Sequence, residues 1–257
     1  MYIETHCHLD YLKELPLEDI LLKIKEAGIS KVVTIGVDPD NLDKVRDLAQ
    51  KYTEIYFSQG IHPHDAKEAT ETEFNKIISR SKESKMIAVG EIGLDYHYNN
   101  SPPEIQRAVF EKQLQIACDN DLPVIIHTRE ADADTEAILK NFSSRLKRKG
   151  VVHSFTSSKE LAEFILSEGF FIGFNGIITF KKAQNVQEIV KITPSERILF
   201  ETDSPFLTPM PHRGKENAPY YLPFVAAKVA ELKGTDLEEL KIQVFENSLR
   251  CFTKLTG

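Results

Sequence analysis

The chain has 257 residues, 41% apolar and 28% charged, with a net charge of −7. That length buries a sizeable core without disulfides, while the acidic balance argues against broad electrostatic coating of nucleic acid and leaves room only for a local cationic pocket. Three scattered cysteines (Cys7, Cys118 and Cys251), no basic-then-apolar start and no membrane-length apolar run give the expectation of a reduced, cytoplasmic protein, neither secreted nor membrane-embedded.

Short runs rich in Val, Ile and Phe alternate with longer helical stretches. Tyr2–Thr5 reads as the first strand and runs into "ETHCHLD" (4–10). Val32–Val37 follows, then Asp38-Pro39, which reads as an N-cap with proline at the first helical position. Ile55–Gln59 leads into "GIHPHD" (60–65), where Pro63 marks the end of the strand. Ile87–Val89 precedes "GEIGLDY" (90–96), and "SPPE" (101–104) reads as a capping box of Ser101 and Glu104. The remaining strands are Val124–Ile126, Val151–Val152, Phe170–Phe174 and Ile198–Phe200. Basic "RLKRKG" (145–150) reads as a solvated helix end, and Thr235 with Glu238 repeats the capping box before the last helix. Eight β/α units without a linker predict one domain over 1–257, a (β/α)8 TIM-type barrel. An open doubly wound sheet is the alternative, but no GxGxxG or Walker-type loop supports it.

All eight histidines fall outside the predicted helices, at or beyond the C-terminal ends of strands. Glu91 and Asp203 occupy equivalent positions. In a parallel barrel these ends meet on one face, where active sites are built. His6 and His8 are two apart on a strand and share a face, whereas Cys7 points the other way as a small buried hydrophobe. An isolated HxH fits two satisfied barrel histidines equally well. With Glu91, His127, His153 and Asp203 on the same face, it reads as part of a metal centre.

One ion needs about three protein ligands, and more are available here. A Glu91 carboxylate could bridge two ions about 3.5–4 Å apart, with His6, His8 and Asp203 completing one site and His127 and His153 the other. Zinc, manganese or magnesium would all suit such donors. The charges of two such ions outweigh the two carboxylates and a hydroxide, which favours an anionic substrate. Arg129 and Arg213 are candidate phosphate contacts, each with an ordinary loop ion pair as its alternative. His62 reads as a group beside the ligands or touching phosphate, His64 as structural, and His97 and His212 as exposed loop residues.

These motifs, together with "PVIIHTREA" (123–131), "VVHSFT" (151–156), "ETDSPFL" (201–207), "RGKENAP" (213–219) and "ENSLRCF" (246–252), resemble the TatD family of metal-dependent deoxyribonucleases from end to end. The resemblance implies a (β/α)8 barrel, a two-metal centre and hydrolysis of DNA phosphodiesters, often from a 3′ end. It assigns metal binding to His6, His8, Glu91, His127, His153 and Asp203, and puts His62 and Arg129 near the substrate phosphate. Glu4 stands where the family usually has Asp, and "HSFTS" lacks a common glycine. Glu91 fills the place that a carbamylated lysine takes in other amidohydrolase-like barrels.

The expected function is therefore metal-dependent hydrolysis of DNA, as a 3′–5′ exonuclease, with Asp203 and Glu91 as catalytic groups. Hydrolysis of a small ester, lactone or amide, or of an aminoacyl-tRNA ester, uses the same chemistry; a binding protein without catalysis is a third class. No obligate protein partner is implied. A monomer is expected, because no long exposed apolar helix stands out.

Overall fold

Strands that are apolar on both faces need a helix layer outside them and a packed interior within, and this chain supplies both. A computed structural model describes residues 1–256. In it, β1 (Tyr2–Cys7), β2 (Ile29–Gly36), β3 (Ile55–Gln59), β4 (Met86–Asp95), β5 (Val124–Arg129), β6 (Gly150–Val152), β7 (Phe171–Phe174) and β8 (Ile198–Phe200) pair in chain order. Each neighbouring pair is parallel. Helices α1 (Leu17–Glu26), α2 (Leu42–Lys51), α3 (Glu71–Arg80), α4 (Pro103–Asn120), α5 (Asp132–Phe142), α6 (Lys159–Ser167), α7 (Gln184–Ile192) and α8 (Leu222–Lys233) alternate with the strands, and α9 (Leu237–Cys251) is added at the end. This is the expected (β/α)8 barrel. No helix among the described residues is long and apolar enough to cross a membrane.

The seam between β8 and β1 is closed largely by side chains rather than by a regular ladder. The buried Glu4 carboxylate accepts the backbone N–H of His6 and of Thr202, both at 3.0 Å. Thr5 Oγ1 donates to the carbonyl of Phe200 at 2.8 Å, and Asp203 N–H donates to that of His6 at 2.9 Å. Glu4 thus stands in for a ladder carbonyl, which explains why an acid can occupy a fully buried position.

Three expected helix starts shift, each for a local reason. The Asp38 carboxylate accepts N–H groups of Asp40 and Asn41, forming a turn that delays α2 to Leu42. Ser101 is spent tying a loop, donating to the His64 carbonyl and accepting from Lys67 N–H, so Pro102 caps α4 instead. Asp236, not Thr235, caps α9 through the N–H groups of Glu238 and Glu239. Among the described residues the one full capping box is Thr70 with Glu73 at the start of α3. In the basic run, α5 has already ended at Phe142, and Lys149 donates to Ser143 while Arg148 donates to Thr253. Those two cations are structural ties.

Candidate metal centre

Side chains alternate along a strand, so an extra residue on one strand inverts which of them point inward. Ile3 packs inside the barrel, whereas Cys7 packs in the outer layer. Strict alternation would have put both on the same side. The register of β1 against β2 breaks between Glu4 and Cys7, where three steps on β1 match two on β2. That bulge turns His6 and His8 inward and sends Cys7 out, where burial pushes its thiol well up. Strand β4 breaks register against both neighbours, between Val89 and Ile92 on the β5 side, bracketing Glu91. The expected short strand Ile87–Val89 is thus the beginning of a longer one that carries Glu91 inside the barrel.

Glu91 is the hub. Its Oε1 lies 2.6 Å from His153 Nε2, 3.1 Å from His127 Nδ1 and 3.4 Å from His62 Nε2. Its Oε2 is 3.3 Å from His6 Nε2. Asp203 Oδ1 completes the group at 3.5 Å from His8 Nε2 and 3.7 Å from His6 Nε2. The His6 and His153 rings stack with centroids 3.9 Å apart. Burial works to raise the Glu91 carboxyl, but His153, His62 and His6 outweigh it and hold the group well below the usual range. The same opposition, with His8 as the strongest partner, keeps Asp203 low. Asp203 is held in left-handed backbone at φ 56°, uncommon for a residue other than glycine.

Among these residues, His6, His8 and Asp203 bring one ligand atom each within 4.8 Å of one another, and so do His62, Glu91 and His127. His153 groups with His6 and Glu201 instead. The first triad matches the expected division; in the second, His62 rather than His153 joins His127 and Glu91. Both ring nitrogens of His6 and of His153, and Nδ1 of His8, are buried without a hydrogen-bond partner. His153 Nε2 is close enough to Glu91 to bond but is not aligned for it. Donor atoms that crowd together without bonding are arranged around a shared point, and nitrogen and carboxylate donors suit a divalent cation there.

Two acids that sequence reasoning passed over support this group. Asp95 Oδ2 takes Nε2 of His127 at 3.0 Å and Nε2 of His64 at 3.2 Å. This turns His127 Nδ1 toward Glu91; burial lowers the His127 pKa, but Asp95 and Glu91 raise it overall. Glu201 lies 3.7 Å from His153 Nδ1 and accepts the N–H of Ser154. Gly173 makes room for it, since a Cβ there would sit 2.4 Å from Glu201 Oε2. Both acids stand at even spacing from an acid already singled out, Asp95 from Glu91 and Glu201 from Asp203. Strand alternation carried that signal for Asp95, on β4 with Glu91, whereas Glu201 lies just past the end of β8.

The group floors a cavity of about 670 Å³ at the C-terminal ends of the strands, rimmed by Tyr11, Tyr98, Arg129 and Phe206. His62 Nδ1 accepts the His64 N–H, leaving Nε2–H aimed at Glu91, and burial lowers its pKa to about 4, so the ring is neutral. Arg129 lines the cavity and lies 4.8 Å from the Tyr98 ring centre. Arg213 is not brought into the cavity; it is exposed, 4.4 Å from the Phe180 ring centre. His64 lines the cavity, His97 pairs with Glu130 at 2.6 Å, and His212 stacks on Tyr221.

The model of the family described as TatD related DNase matches residues 3–253. An uncharacterized metal-dependent hydrolase of Bacillus subtilis, YabD, is 39% identical, covering 98% of this chain and 99% of its own length. The 3′-5′ ssDNA/RNA exonuclease TatD of Erwinia tasmaniensis is 34% identical, covering 91% of this chain and 93% of its own. The crystal structure of the Escherichia coli TatD homologue YjjV superimposes with a TM-score of 0.92 at 30% identity, covering 98% of both chains. A fold, a buried imidazole–carboxylate group and an end-to-end family match agree: the chain belongs to the TatD-related DNases and is a metal-dependent hydrolase.

Proposed function

We propose that this protein hydrolyses DNA phosphodiester bonds, releasing nucleotides from a 3′ end. The observation that carries the reading is Glu91, a buried carboxylate with four imidazoles within 3.4 Å at the floor of an open cavity. The exonuclease relative supports the choice of substrate and direction.

His6, His8 and Asp203 would hold one divalent ion, His127 and His153 a second, and Glu91 both. Bound there, such ions lower the pKa of a water to near neutrality and draw charge from phosphoryl oxygens. The chain's own groups do the rest. Asp203, ionised and partly open to the cavity, orients the attacking water and accepts its proton. His62, neutral and with Nε2–H aimed inward, donates to a phosphate oxygen. Arg129 on the rim adds a fixed positive charge, its plane held against Tyr98. Asp95 and Glu201 hold the His127 and His153 rings in place.

Replacing Asp203 with Asn is expected to lower kcat about 1000-fold while leaving the fold intact. Wild-type turnover in that variant, after controls for contaminating metal, would defeat the assignment. Single-stranded DNA, RNA and a panel of small esters, with oligonucleotides blocked at either end, then test the substrate. A 3′ block should stop hydrolysis and a 5′ block should not. Preference for the esters would instead place the protein with small-molecule hydrolases.

A further inference from the structure

The mouth of the cavity is not uniform in charge. On the β1–β3 side it carries Asp10, Asp38 and Asp65, which gather around Tyr11. On the β5–β6 side a groove of about 870 Å³ continues from Arg129, but its Glu130, Asp132 and Glu188 outnumber Arg129 and Lys159. Either path would repel a polyanion.

The third side differs. The loop between β7 and α7 and the loop between β8 and α8 pack directly on each other. Met210 N–H donates to Thr179 Oγ1 at 2.9 Å, and a Cβ on Gly176 would sit 1.9 Å from the Leu207 carbonyl. Arg213 covers Phe180 from across the seam. The contact collects Lys181, Lys182, Arg213 and Lys215, all exposed. The structure gives none of them a carboxylate partner among the described residues. Glu216, next in sequence, is turned away to the backbone N–H groups of Lys13 and Glu14. The buried Asn217 amide ties the longer loop to the carbonyls of Thr202 and Phe206, so the seam is anchored at its base. At its inner end Phe206 is 50% exposed, with its ring 6.1 Å from that of His8, at the cavity mouth.

We propose that this seam is the track for single-stranded nucleic acid running away from the scissile bond. Lys181, Lys182, Arg213 and Lys215 take successive backbone phosphates, and Phe206 stacks a base at the entry to the cavity. Four unpaired cations on an otherwise acidic molecule, beside an exposed aromatic ring, match that ligand and not a small neutral ester. The inference rests on the nucleic-acid reading of the centre, but its test does not depend on turnover.

Binding of a fluorescent single strand of about ten nucleotides, with phosphorothioate links, is measured by anisotropy over a range of salt. The variant combines Lys181→Ala, Lys182→Ala and Lys215→Ala and keeps Arg213, whose packing on Phe180 supports the loop. It should bind at least about tenfold more weakly, with the slope of log K against log salt flatter by about 2. Phe206→Leu should weaken a base-bearing strand at least about fivefold and a strand of abasic residues hardly at all. Unchanged affinity and salt slope in the triple variant, or a wild-type protein that binds no strand, would overturn the track. A wild-type protein that binds the strand through these lysines but hydrolyses no phosphodiester would instead overturn the nuclease reading alone.

Discussion

At the N-terminal ends of the strands the barrel is closed by apolar side chains, whereas at the C-terminal ends it is lined by crowded imidazoles and carboxylates, several of whose buried polar atoms have no hydrogen-bond partner. Phe252, Cys251 and Leu255 pack beneath Ile3, Val33, Ile87 and Leu199. The Lys254 ammonium is satisfied there by the carbonyls of Ser81, Glu83 and Met86 at 2.7, 2.9 and 2.9 Å. The buried side-chain atoms without a hydrogen-bond partner among the described residues all lie on or just beyond β1, β3, β6 and β8. Left-handed backbone follows the same division. Among the described residues other than glycine, Asn99, Glu130, Ser154, Asp203 and Leu207 all lie in loops after strand ends, and only Asp121, at the C-cap of α4, lies elsewhere. Each such residue costs about 1–3 kcal/mol. The lower end supplies stability, and the upper end spends part of it to hold ligands in place.

The largest expected effect breaks the upper end alone. Glu91→Gln should lower turnover at least about 1000-fold. It should also abolish the rise in Tm that zinc or manganese gives the chelator-treated wild type, because the shared carboxylate is lost. A variant that kept the full metal-induced shift would show that Glu91 is not the hub. Phe252→Ala, at the other end, removes a fully buried ring and should cost about 3–5 kcal/mol. For a chain of this size that is a fall in Tm on the order of 10 °C. Its turnover per folded molecule should match the wild type. A matching loss of kcat would mean that the two ends are mechanically coupled.

How much of this was legible in the sequence depends on the physical signal. Val, Ile and Phe runs marked all eight strands, with Ile55–Gln59 and Ile198–Phe200 correct at both ends, because a parallel strand buried on both faces must be apolar throughout. The ordered motifs marked the family and pointed to the right end of the barrel. Bulges left no such mark. Nothing in "IAVGEIGLD" announces that β4 continues through Glu91 to Asp95, since polar residues in an apolar run ordinarily end a strand. Helix starts failed where neighbouring capping residues compete, as Thr235 and Asp236 do in "GTDLE" (234–238). Arg213 shows the reverse limit: its motif was evident, but its distance from the cavity depends on how two long loops pack.

The smaller effects test how the upper end is held together. Asp95→Asn keeps the size of the side chain but removes the charge that orients His127. It should weaken metal binding about 10–100-fold, while Tm without metal moves little. Unchanged metal affinity would mean that packing alone fixes the His127 ring. The smallest effect is a pH dependence. Burial, the dominant influence on His62, lowers its pKa to about 4 in the folded protein against 6.5 when unfolded. The unfolded chain therefore takes up the proton first, and the stability from this neutral ring is fully present above pH 6.5 and is lost as the pH falls toward 4. In chelator, wild type should lose on the order of 1 kcal/mol more than His62→Gln between neutral pH and about pH 5.5. Parallel urea melts of the two proteins measure the difference directly. Equal losses would mean that His62 exchanges protons with its neighbours freely, and that its Nε2–H is not a fixed donor for phosphate.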